Sequence, residues 1–278
     1  MNLSIDQVTE INKVQLEIFR DFVNICKILN LKYYLVHGSL LGAVRYSGFF
    51  PGDDDIDVLM PRKDYERLIE IGPDYISKNY FIQSCKSENE YPLAMVKIRD
   101  SRTTYIQENI KKLKINHGVY IDVFPLDYTP QFGRVKAFLF SKASAFLNLR
   151  ISALIECTHY STKVKILMLM TKILFPSVKV AMHLREKLFA SVKATDFYSV
   201  YGGKAIERQM PVSWFGNGCK LSFEGIDVVV PSKYKDYLMH IYGDYESYSP
   251  VEKLLVGPNL VKMNACIVDL KRSYTEYL

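Results

Sequence analysis

The hydrophobic pattern at the start of the chain predicts a long amphipathic helix. Ser4 and Gln7 have the spacing of a capping box, in which each side chain bonds the backbone amide of the other residue. The apolar residues that follow recur at the spacing of one helix face, namely Val8, Ile11, Ile18, Phe19, Phe22, Cys26 and Leu29. A helix with one apolar face needs a partner, so we expect it to cover a sheet.

Short apolar runs farther along the chain predict the strands of that sheet. The clearest runs are residues 32–37, 55–60, 80–84, 93–99 and 119–124, with 103–107 as a weaker one. A turn at Gly38-Ser39 leads into a short helix that ends near Tyr46, and a second helix is predicted from about Pro61 to Ser77. We therefore predict an α+β fold with a mixed sheet flanked by helices.

The pattern changes at about Gly133. From there to about Tyr201 it consists of helical apolar stretches with a Lys or Arg every six to eight residues. After Trp214 it predicts a hairpin around Glu224-Gly225 and a helix that ends at Tyr242-Gly243. The predicted parts are a catalytic core at 1–132, a basic helical insertion at 133–203 and a small C-terminal α/β part at 204–278 that completes the active site.

Composition narrows the class of protein. Of the 278 residues, 49% are hydrophobic and 24% are charged, which is typical of an ordered globular chain. Five dispersed cysteines without a C-x-x-C pair favour a reducing compartment. Asp6, Glu10 and Lys13 interrupt the first apolar residues, which argues against a secretory signal. We expect a cytoplasmic protein.

The net charge of +6 is unevenly distributed along the chain. From Arg134 to Lys193 there are 11 Lys and Arg against 2 acids, whereas the remainder has 25 against 28. Such a basic, apolar block either packs on the sheet with solvated lysines or makes peripheral contact with the anionic inner face of the cell membrane. Long apolar runs separate its cations, which argues against nucleic acid as a partner.

Four carboxylates within five residues are the strongest chemical signal. They occur in Asp53-Asp54-Asp55-Ile56-Asp57, where the apolar neighbours are typical of a buried strand. On a strand, Asp55 and Asp57 point to one face roughly 6.5–7 Å apart, a separation that hard cations bridge. Oxygen ligands of this kind favour Mg²⁺, with Mn²⁺ as the alternative. The other interpretation is a solvated acidic loop, which the apolar surroundings disfavour.

Two further motifs accompany the acids. Gly38-Ser39 ends a predicted strand, where backbone N–H groups and a hydroxyl could meet a phosphate, although Ser39 could equally be a simple helix cap. Asp122 lies between apolar strand residues and would be costly to bury alone. It either completes a three-carboxylate metal site or caps Gly118 or pairs with Arg99.

Together these motifs resemble the LicD family of phosphorylcholine transferases, which has the polymerase-β-like nucleotidyltransferase fold and is related to fukutin and the fukutin-related protein. The string HGSLLGAVR from His37, followed by Gly48 and by PGDDDID ending at Asp57, carries the resemblance. Weaker pieces follow in family order, at 96–100, 118–127, 223–225, 230–231 and 242–245 with Pro250. The resemblance spans nearly the whole chain.

The resemblance implies that phosphocholine is transferred from CDP-choline to a sugar hydroxyl, with release of CMP. The acceptor would be a cell-surface glycan of the teichoic acid or lipopolysaccharide type, or its lipid-linked precursor. Asp55, Asp57 and Asp122 would be the catalytic residues and would hold Mg²⁺ against the diphosphate, with Asp53 as a further ligand. Asp122 could also serve as the base, although a metal-bound carboxylate is a poor one.

Phosphate binding is expected from Gly38, Ser39, Arg45, Lys97 and Arg99. The alternative for Lys97 and Arg99 is a surface pair that balances Asp100 and Glu108. Choline is a quaternary ammonium, so aromatic faces and a carboxylate should receive it. The candidates are Trp214, Tyr242, Asp244 and Tyr245, which could alternatively be packing residues.

Two other functions stay open at this point. The same fold could use CDP-ethanolamine, CDP-ribitol or CDP-glycerol as donor. A more remote alternative is a non-enzymatic protein that binds polyanions through the basic block, which leaves the acidic cluster without a role.

Overall fold

The computed structural model describes residues 2–131, 134–155, 161–200, 209–247, 255–257, 260–262 and 264–278. Several predicted features lie outside these residues: both predicted domain boundaries, the two ends of the helical insertion, Cys157 and Pro250. Everything that follows concerns the described residues.

These residues form seven α-helices and fourteen strands. The helices are α1 (Ile5–Ile28), α2 (His37–Tyr46), α3 (Arg62–Ile71), α4 (Arg134–Ser152), α5 (Thr162–Leu174), α6 (Val178–Ala190) and α7 (Tyr234–Tyr242). The strands of the main sheet are β2 (Tyr34–Leu35), β3 (Asp57–Pro61), β4 (Tyr80–Gln83), β5 (Val96–Asp100), β7 (Val119–Tyr128), β8 (Phe197–Val200) and β9 (Met210–Pro211). The others are β1 (Asn2–Ser4), β6 (Thr104–Gln107), β10 (Cys219–Phe223), β11 (Ile226–Val230), β12 (Leu255–Gly257), β13 (Leu260–Lys262) and β14 (Ala265–Asp269).

The main sheet confirms the predicted mixed sheet flanked by helices. Its order is β2-β3-β7-β5-β4, with β8 added to the far end of β7 and β9 added to β8. The pair β3–β7 is parallel and the other pairs are antiparallel. Strand β7 is central, and nine of its ten residues are buried because strands flank both of its edges and helices cover its faces.

Helix α1 covers this sheet, as its sequence predicts. The capping box at its start is present, with Ser4 N–H donating to Gln7 Oε1 at 2.9 Å and Gln7 N–H donating to Ser4 Oγ at 3.2 Å. Its apolar face joins a single hydrophobic core with β2, β3, β5, β7 and the β10–β11 hairpin. Asn12 and Gln15 are buried polar residues on that same face, and their partners are described below.

The helical segment has a hydrophobic cluster of its own between α4 and α6. An ion-pair network joins it to the sheet: Arg62 of α3 binds both carboxylate oxygens of Asp127, at 2.6 and 2.7 Å, and one oxygen of Glu186 at 2.5 Å. Arg185 donates to the other Glu186 oxygen at 2.7 Å. These contacts fix α6 against the end of β7.

Four sequence predictions need correction. The insertion is not helical to its end, because Phe197–Val200 form β8 by pairing with residues 126–128 of β7. The strand at Thr104–Gln107 exists but pairs with β14 outside the main sheet. Helix α3 stops at Ile71, where Gly72-Pro73 starts a short 3-10 turn. Helix α2 begins at His37 and not after Gly38-Ser39.

Candidate active site

The register of the sheet brings the predicted acids together. Asp57 is the first residue of β3 and lies opposite Asp122 on β7. The Asp122 N–H donates to the Ile56 carbonyl oxygen at 2.8 Å, which ties the start of β3 to β7. Both acids therefore lie at one end of the β3–β7 pair, where the chain enters β3 from the loop that carries Asp53, Asp54 and Asp55.

Two groups of carboxylates have ligand atoms close enough to hold a cation. Asp55, Asp57 and Asp122 each offer one oxygen such that all three lie within 4.8 Å of one another. Asp53, Asp54 and Asp55 form a second group by the same measure. Asp55 belongs to both, so the structure connects the three acids implied as catalytic, the further predicted ligand Asp53, and Asp54.

The electrostatics of this cluster disfavour the charged acids. Burial and the neighbouring Asp54 charge raise the pKa of Asp53 to about 7. Burial and the other carboxylates raise the pKa values of Asp55 and Asp57 well above their usual range. The alternative of a solvated acidic loop does not fit these partly buried acids. Their surroundings hold too little positive charge to balance them.

Lys97 is the ammonium that meets the cluster. Its Nζ lies 2.5 Å from Asp122 Oδ1 and 3.3 Å from the centre of the Tyr120 ring. The side chain is only 1% exposed, and burial lowers its pKa, an effect that Asp122 opposes. One ammonium does not balance five carboxylates.

Arg99 lies inside the sheet with two hydrogen-bond partners. It is fully buried, with Nε donating to Gln83 Oε1 at 2.5 Å and Nη1 donating to the Gly118 carbonyl oxygen at 2.6 Å. The alternative of a surface pair with Lys97 is wrong, since both side chains are buried and Asp100 binds Arg102. Its role as a phosphate ligand stays a prediction.

Gly38 and Ser39 both lie next to residues of the acidic cluster. A Cβ atom at position 38 would lie 2.5 Å from Asp53 Oδ2, so the first turn of α2 needs glycine in order to approach that carboxylate. Ser39 is buried, and its Oγ accepts the Asp57 N–H at 2.9 Å. It is the third residue of α2 and not its cap. Ser39 therefore fixes the start of β3.

Three residues that hold the acidic loop were missed by the sequence reasoning. Asn12 donates to the Asp53 carbonyl oxygen at 3.2 Å, and Gln15 donates to the Asp54 carbonyl oxygen at 2.7 Å. Tyr105 donates its hydroxyl to Asp54 Oδ2 at 3.1 Å. The available signal was the presence of two amides on the otherwise apolar face of α1. Amides in such a place need partners.

The remaining predicted residues are spread around this centre. Arg45 is exposed at the end of α2, with its guanidinium 5.2 Å from the centre of the Phe50 ring and 5.5 Å from that of Tyr46. Trp214 is half-buried against His240, with ring centres 5.5 Å apart. Their proposed roles at phosphate and choline stay predictions.

The other choline candidates lie at the end of α7 or just after it. Tyr245 is buried in the main core, and Asp244 is exposed and accepts the Ser247 hydroxyl at 2.6 Å. Tyr242 is half-buried and packs against the same core. Helix α7 also reaches α2, where the Tyr237 hydroxyl lies 3.1 Å from His37 Nδ1.

A cleft of about 280 Å³ adjoins the acidic loop. Its lining includes Gly52, the neighbour of Asp53, together with Asn12, Phe49 and Glu224. Glu224 accepts the Phe49 N–H at 3.2 Å, so the β10–β11 turn fixes one wall of the cleft. The cleft thus presents an aromatic residue and a carboxylate beside the acids.

The carboxylates of the cluster are suitable ligands for a hard divalent cation. All five groups are carboxylates, whose oxygens are the ligands that Mg²⁺ and Mn²⁺ accept. Asp53 Oδ2 is buried and has no hydrogen-bond partner among the described residues. An unpartnered buried carboxylate oxygen is costly, and a cation bound at the cluster would satisfy it.

Comparison with known proteins shows what this chain resembles. Residues 30–147 match the family described as LicD/FKTN/FKRP, nucleotidyltransferase domain. The lipopolysaccharide cholinephosphotransferase LicD of Haemophilus influenzae is 27% identical over 249 residues, which cover 86% of this chain and 91% of the relative. Uncharacterized proteins of Rickettsia prowazekii and Rickettsia typhi are 37% and 39% identical over 60 and 57 residues.

Those two matches are short, covering 22% and 20% of this chain and 23% and 18% of the relatives. The family match is more informative, because it contains α2, the acidic loop, β3, β5 and β7. Every acid of the cluster and Lys97 therefore lie inside it. Residues 30–147 of this chain are thus similar to the LicD/FKTN/FKRP nucleotidyltransferase domain, and the acids of the cluster lie within that similarity.

Proposed function

We propose that this protein is a Mg²⁺-dependent phosphotransferase that moves phosphocholine from CDP-choline to a sugar hydroxyl and releases CMP. The observation that carries the proposal is the gathering of Asp55, Asp57 and Asp122 in one three-carboxylate group. The similarity to a lipopolysaccharide cholinephosphotransferase supports the choice of phosphocholine as the transferred group.

Asp53, Asp55, Asp57 and Asp122 would hold Mg²⁺, with Mn²⁺ as a substitute. When bound, the cation would neutralise oxygens of the donor diphosphate and orient it. In the reaction, the acceptor hydroxyl oxygen forms a bond to the phosphorus that carries choline, and the bond from that phosphorus to the CMP oxygen breaks. The products are a phosphodiester and CMP, and the hydroxyl proton passes to a base.

The residues around the acids would position this reaction. Lys97 holds Asp122 in place and adds positive charge beside the diphosphate. Asn12, Gln15 and Ser39 hold the backbone of the acidic loop and of β3. Because phosphoryl transfer needs little covalent chemistry from the protein, such positioning is the main task of the site.

The choline headgroup has a suitable receptor in the cleft beside Gly52. Phe49 offers an aromatic face, Glu224 offers a carboxylate, and the cleft adjoins Asp53. Trp214, Tyr242, Asp244 and Tyr245 stay candidates from the sequence, although substitution of the buried Tyr245 would also disturb the core. Replacing Glu224 by Gln keeps the acceptor for the Phe49 N–H and removes the charge. It should weaken binding of CDP-choline more than binding of CDP.

The acceptor belongs to the same proposal. We take it to be a glycan of the teichoic acid or lipopolysaccharide type, or its lipid-linked precursor. The protein would act in the cytoplasm, in peripheral contact with the inner face of the cell membrane.

The test is CMP release by the purified protein with Mg²⁺, a glycan acceptor and each of four donors: CDP-choline, CDP-ethanolamine, CDP-ribitol and CDP-glycerol. We expect CDP-choline to be the preferred donor and Asp57→Asn to be inactive with all four. If another donor is preferred, the transferred group is the one that this donor carries and not phosphocholine. Equal CMP release by wild type and by Asp57→Asn would show that the acidic cluster does not take part in the reaction.

A further inference from the structure

The helical segment exposes most of the large apolar side chains that the described residues leave in solvent. Eleven of the seventeen such side chains lie on α4, α5 and α6, although these helices are only a small part of the chain. Contiguous exposed apolar surface is rare on soluble proteins and marks a contact with another molecule or a membrane.

Helix α5 contributes six of them and has two opposite apolar stripes. Val164, Met168 and Thr171 lie on one face of α5, where Met168 and Thr171 are buried, and the helix packs against α4. At 100° per residue, the exposed stripe is centred about 180° away from the inward one. The exposed stripe consists of Ile166, Leu169, Met170 and Ile173. Its spacing is that of a core-facing helix, yet Ile173 is 74% and Leu169 is 60% exposed.

Lysines lie along this outward stripe. By the same rotation, Lys165 and Lys172 border one side of it, and Lys163 lies on the other side beside the exposed Leu167 and Leu174. All three are exposed, and none forms an ion pair with a described residue. Helices α4 and α5 contain no acidic residue. The exposed surface of α5 is therefore apolar, and the charges that it carries are all positive.

This arrangement fits the interface of an anionic bilayer. No described helix is both long enough and apolar enough to cross a membrane. A helix with an apolar stripe bordered by lysines instead lies in the plane of the interface, with the stripe among acyl chains and the ammonium groups at phosphates. A second copy of the chain would bring like charges together, because the same lysines border the same stripe on both copies.

We propose that α5 docks this protein on an anionic lipid bilayer through its exposed apolar stripe and its lysines. The docking does not depend on catalysis. Its use rests on the proposed function, because a lipid-linked acceptor would be held at the same membrane surface as the enzyme.

The test is sedimentation of the full chain with vesicles of phosphatidylglycerol and phosphatidylcholine, compared with phosphatidylcholine alone. We expect binding to the anionic vesicles at low salt and its loss at high salt. Replacing Lys163, Lys165 and Lys172 by Gln should reduce the partition coefficient roughly 100-fold. Replacing Lys78, Lys220 and Lys235 by Gln removes the same charge elsewhere on exposed positions and should have a much smaller effect.

A second pair of variants tests the apolar stripe. Leu169→Gln with Ile173→Gln should reduce vesicle binding roughly tenfold or more, since both side chains would leave the acyl region. The matched control is Ile28→Gln with Met239→Gln, which removes two comparably exposed apolar side chains from α1 and α7 and should bind as wild type. All four residues are exposed, so the melting temperature should not change.

Three results would overturn the proposal. The first is no binding of wild type to anionic vesicles at low salt. The second is equal loss of binding in the α5 variants and their controls. The third is concentration-dependent self-association that Leu169→Gln with Ile173→Gln abolishes while vesicle binding stays absent. CMP release from CDP-choline in solution is measured on the same samples and judges the proposed function separately.

Discussion

Replacing Asp53 by Asn should stabilise the metal-free protein, and the gain should depend on pH. In the folded protein, burial and Asp54 raise the pKa of Asp53 from 3.8 to about 7. Between these two values the folded state binds a proton that the unfolded state has released, so the free energy of unfolding of wild type falls as pH rises. The loss is complete above the folded pKa.

The size of the effect follows from the two pKa values. At about 1.4 kcal/mol for each pH unit, the rise from 3.8 to about 7 corresponds to about 4 kcal/mol. An Asn side chain has nearly the same shape and carries no charge. We therefore expect Asp53→Asn to match wild type below about pH 3, where the acid is protonated in both states, and to exceed it by about 4 kcal/mol above pH 7.

The assay is urea unfolding at several pH values without divalent cations, followed by the fluorescence of Trp214, the single tryptophan. Changes in the midpoint at constant slope report stability. Asp227→Asn, on an exposed residue of β11, is the control and should shift the midpoint little at any pH. A variant that is less stable than wild type at pH 8, or a gain that does not vary with pH, would refute the reasoning.

Mg²⁺ extends the same experiment. A cation that binds the folded protein at 100 times its dissociation constant adds about 2.7 kcal/mol to the free energy of unfolding. Wild type should gain more from Mg²⁺ at pH 8 than near pH 5, because protonated acids bind metal poorly. Asp53→Asn should gain less than wild type at pH 8. Equal gains would show that Asp53 is not a ligand.

Three other substitutions test the surroundings of the acids. Lys97→Gln leaves the Asp122 carboxylate buried without its partner, so unfolding in urea should show a loss of about 3 kcal/mol at neutral pH, and CMP release should fall with it. Gly38→Ala places a Cβ 2.5 Å from Asp53 Oδ2, so the acidic loop must shift, and titration calorimetry should show weaker Mg²⁺ binding with little change in melting temperature. Gln15→Leu removes a buried amide that bonds the acidic loop. This substitution should lower kcat more than it changes KM for CDP-choline. An unchanged kcat would show that the Gln15 amide has only a structural role.

The acidic cluster could be predicted from the sequence because its signal is local. Four carboxylates among apolar strand residues need compensation wherever they fold, and Asp122 is unusual among the apolar residues of its own strand. The sequence did not show that Asp57 and Asp122 lie side by side in the folded protein. The parallel pairing of Asp57 with Asp122 depends on the order of strands in the sheet, which local patterns do not contain.

The errors have the opposite origin, in contacts between distant parts of the chain. Gln15 is 39 residues from Asp54, and Asn12 is 41 residues from Asp53, so no short motif marks them as supports of the acidic loop. Phe197–Val200 read as the end of a helical region because the partner that makes them a strand lies some seventy residues earlier, on β7. The alternative of a surface pair for Lys97 and Arg99 failed because all of β5 is buried between its neighbouring elements.

The most direct test of the central claim is the fate of radiolabelled choline from CDP-choline. Purified protein, Mg²⁺ and a lipopolysaccharide or teichoic acid acceptor are incubated, and label in the glycan is compared with CMP in solution. The account predicts equal amounts of both products, loss of both with EDTA, and loss of both in Asp55→Asn. Labelled glycan formed equally well by Asp55→Asn, or in the presence of EDTA, would contradict it.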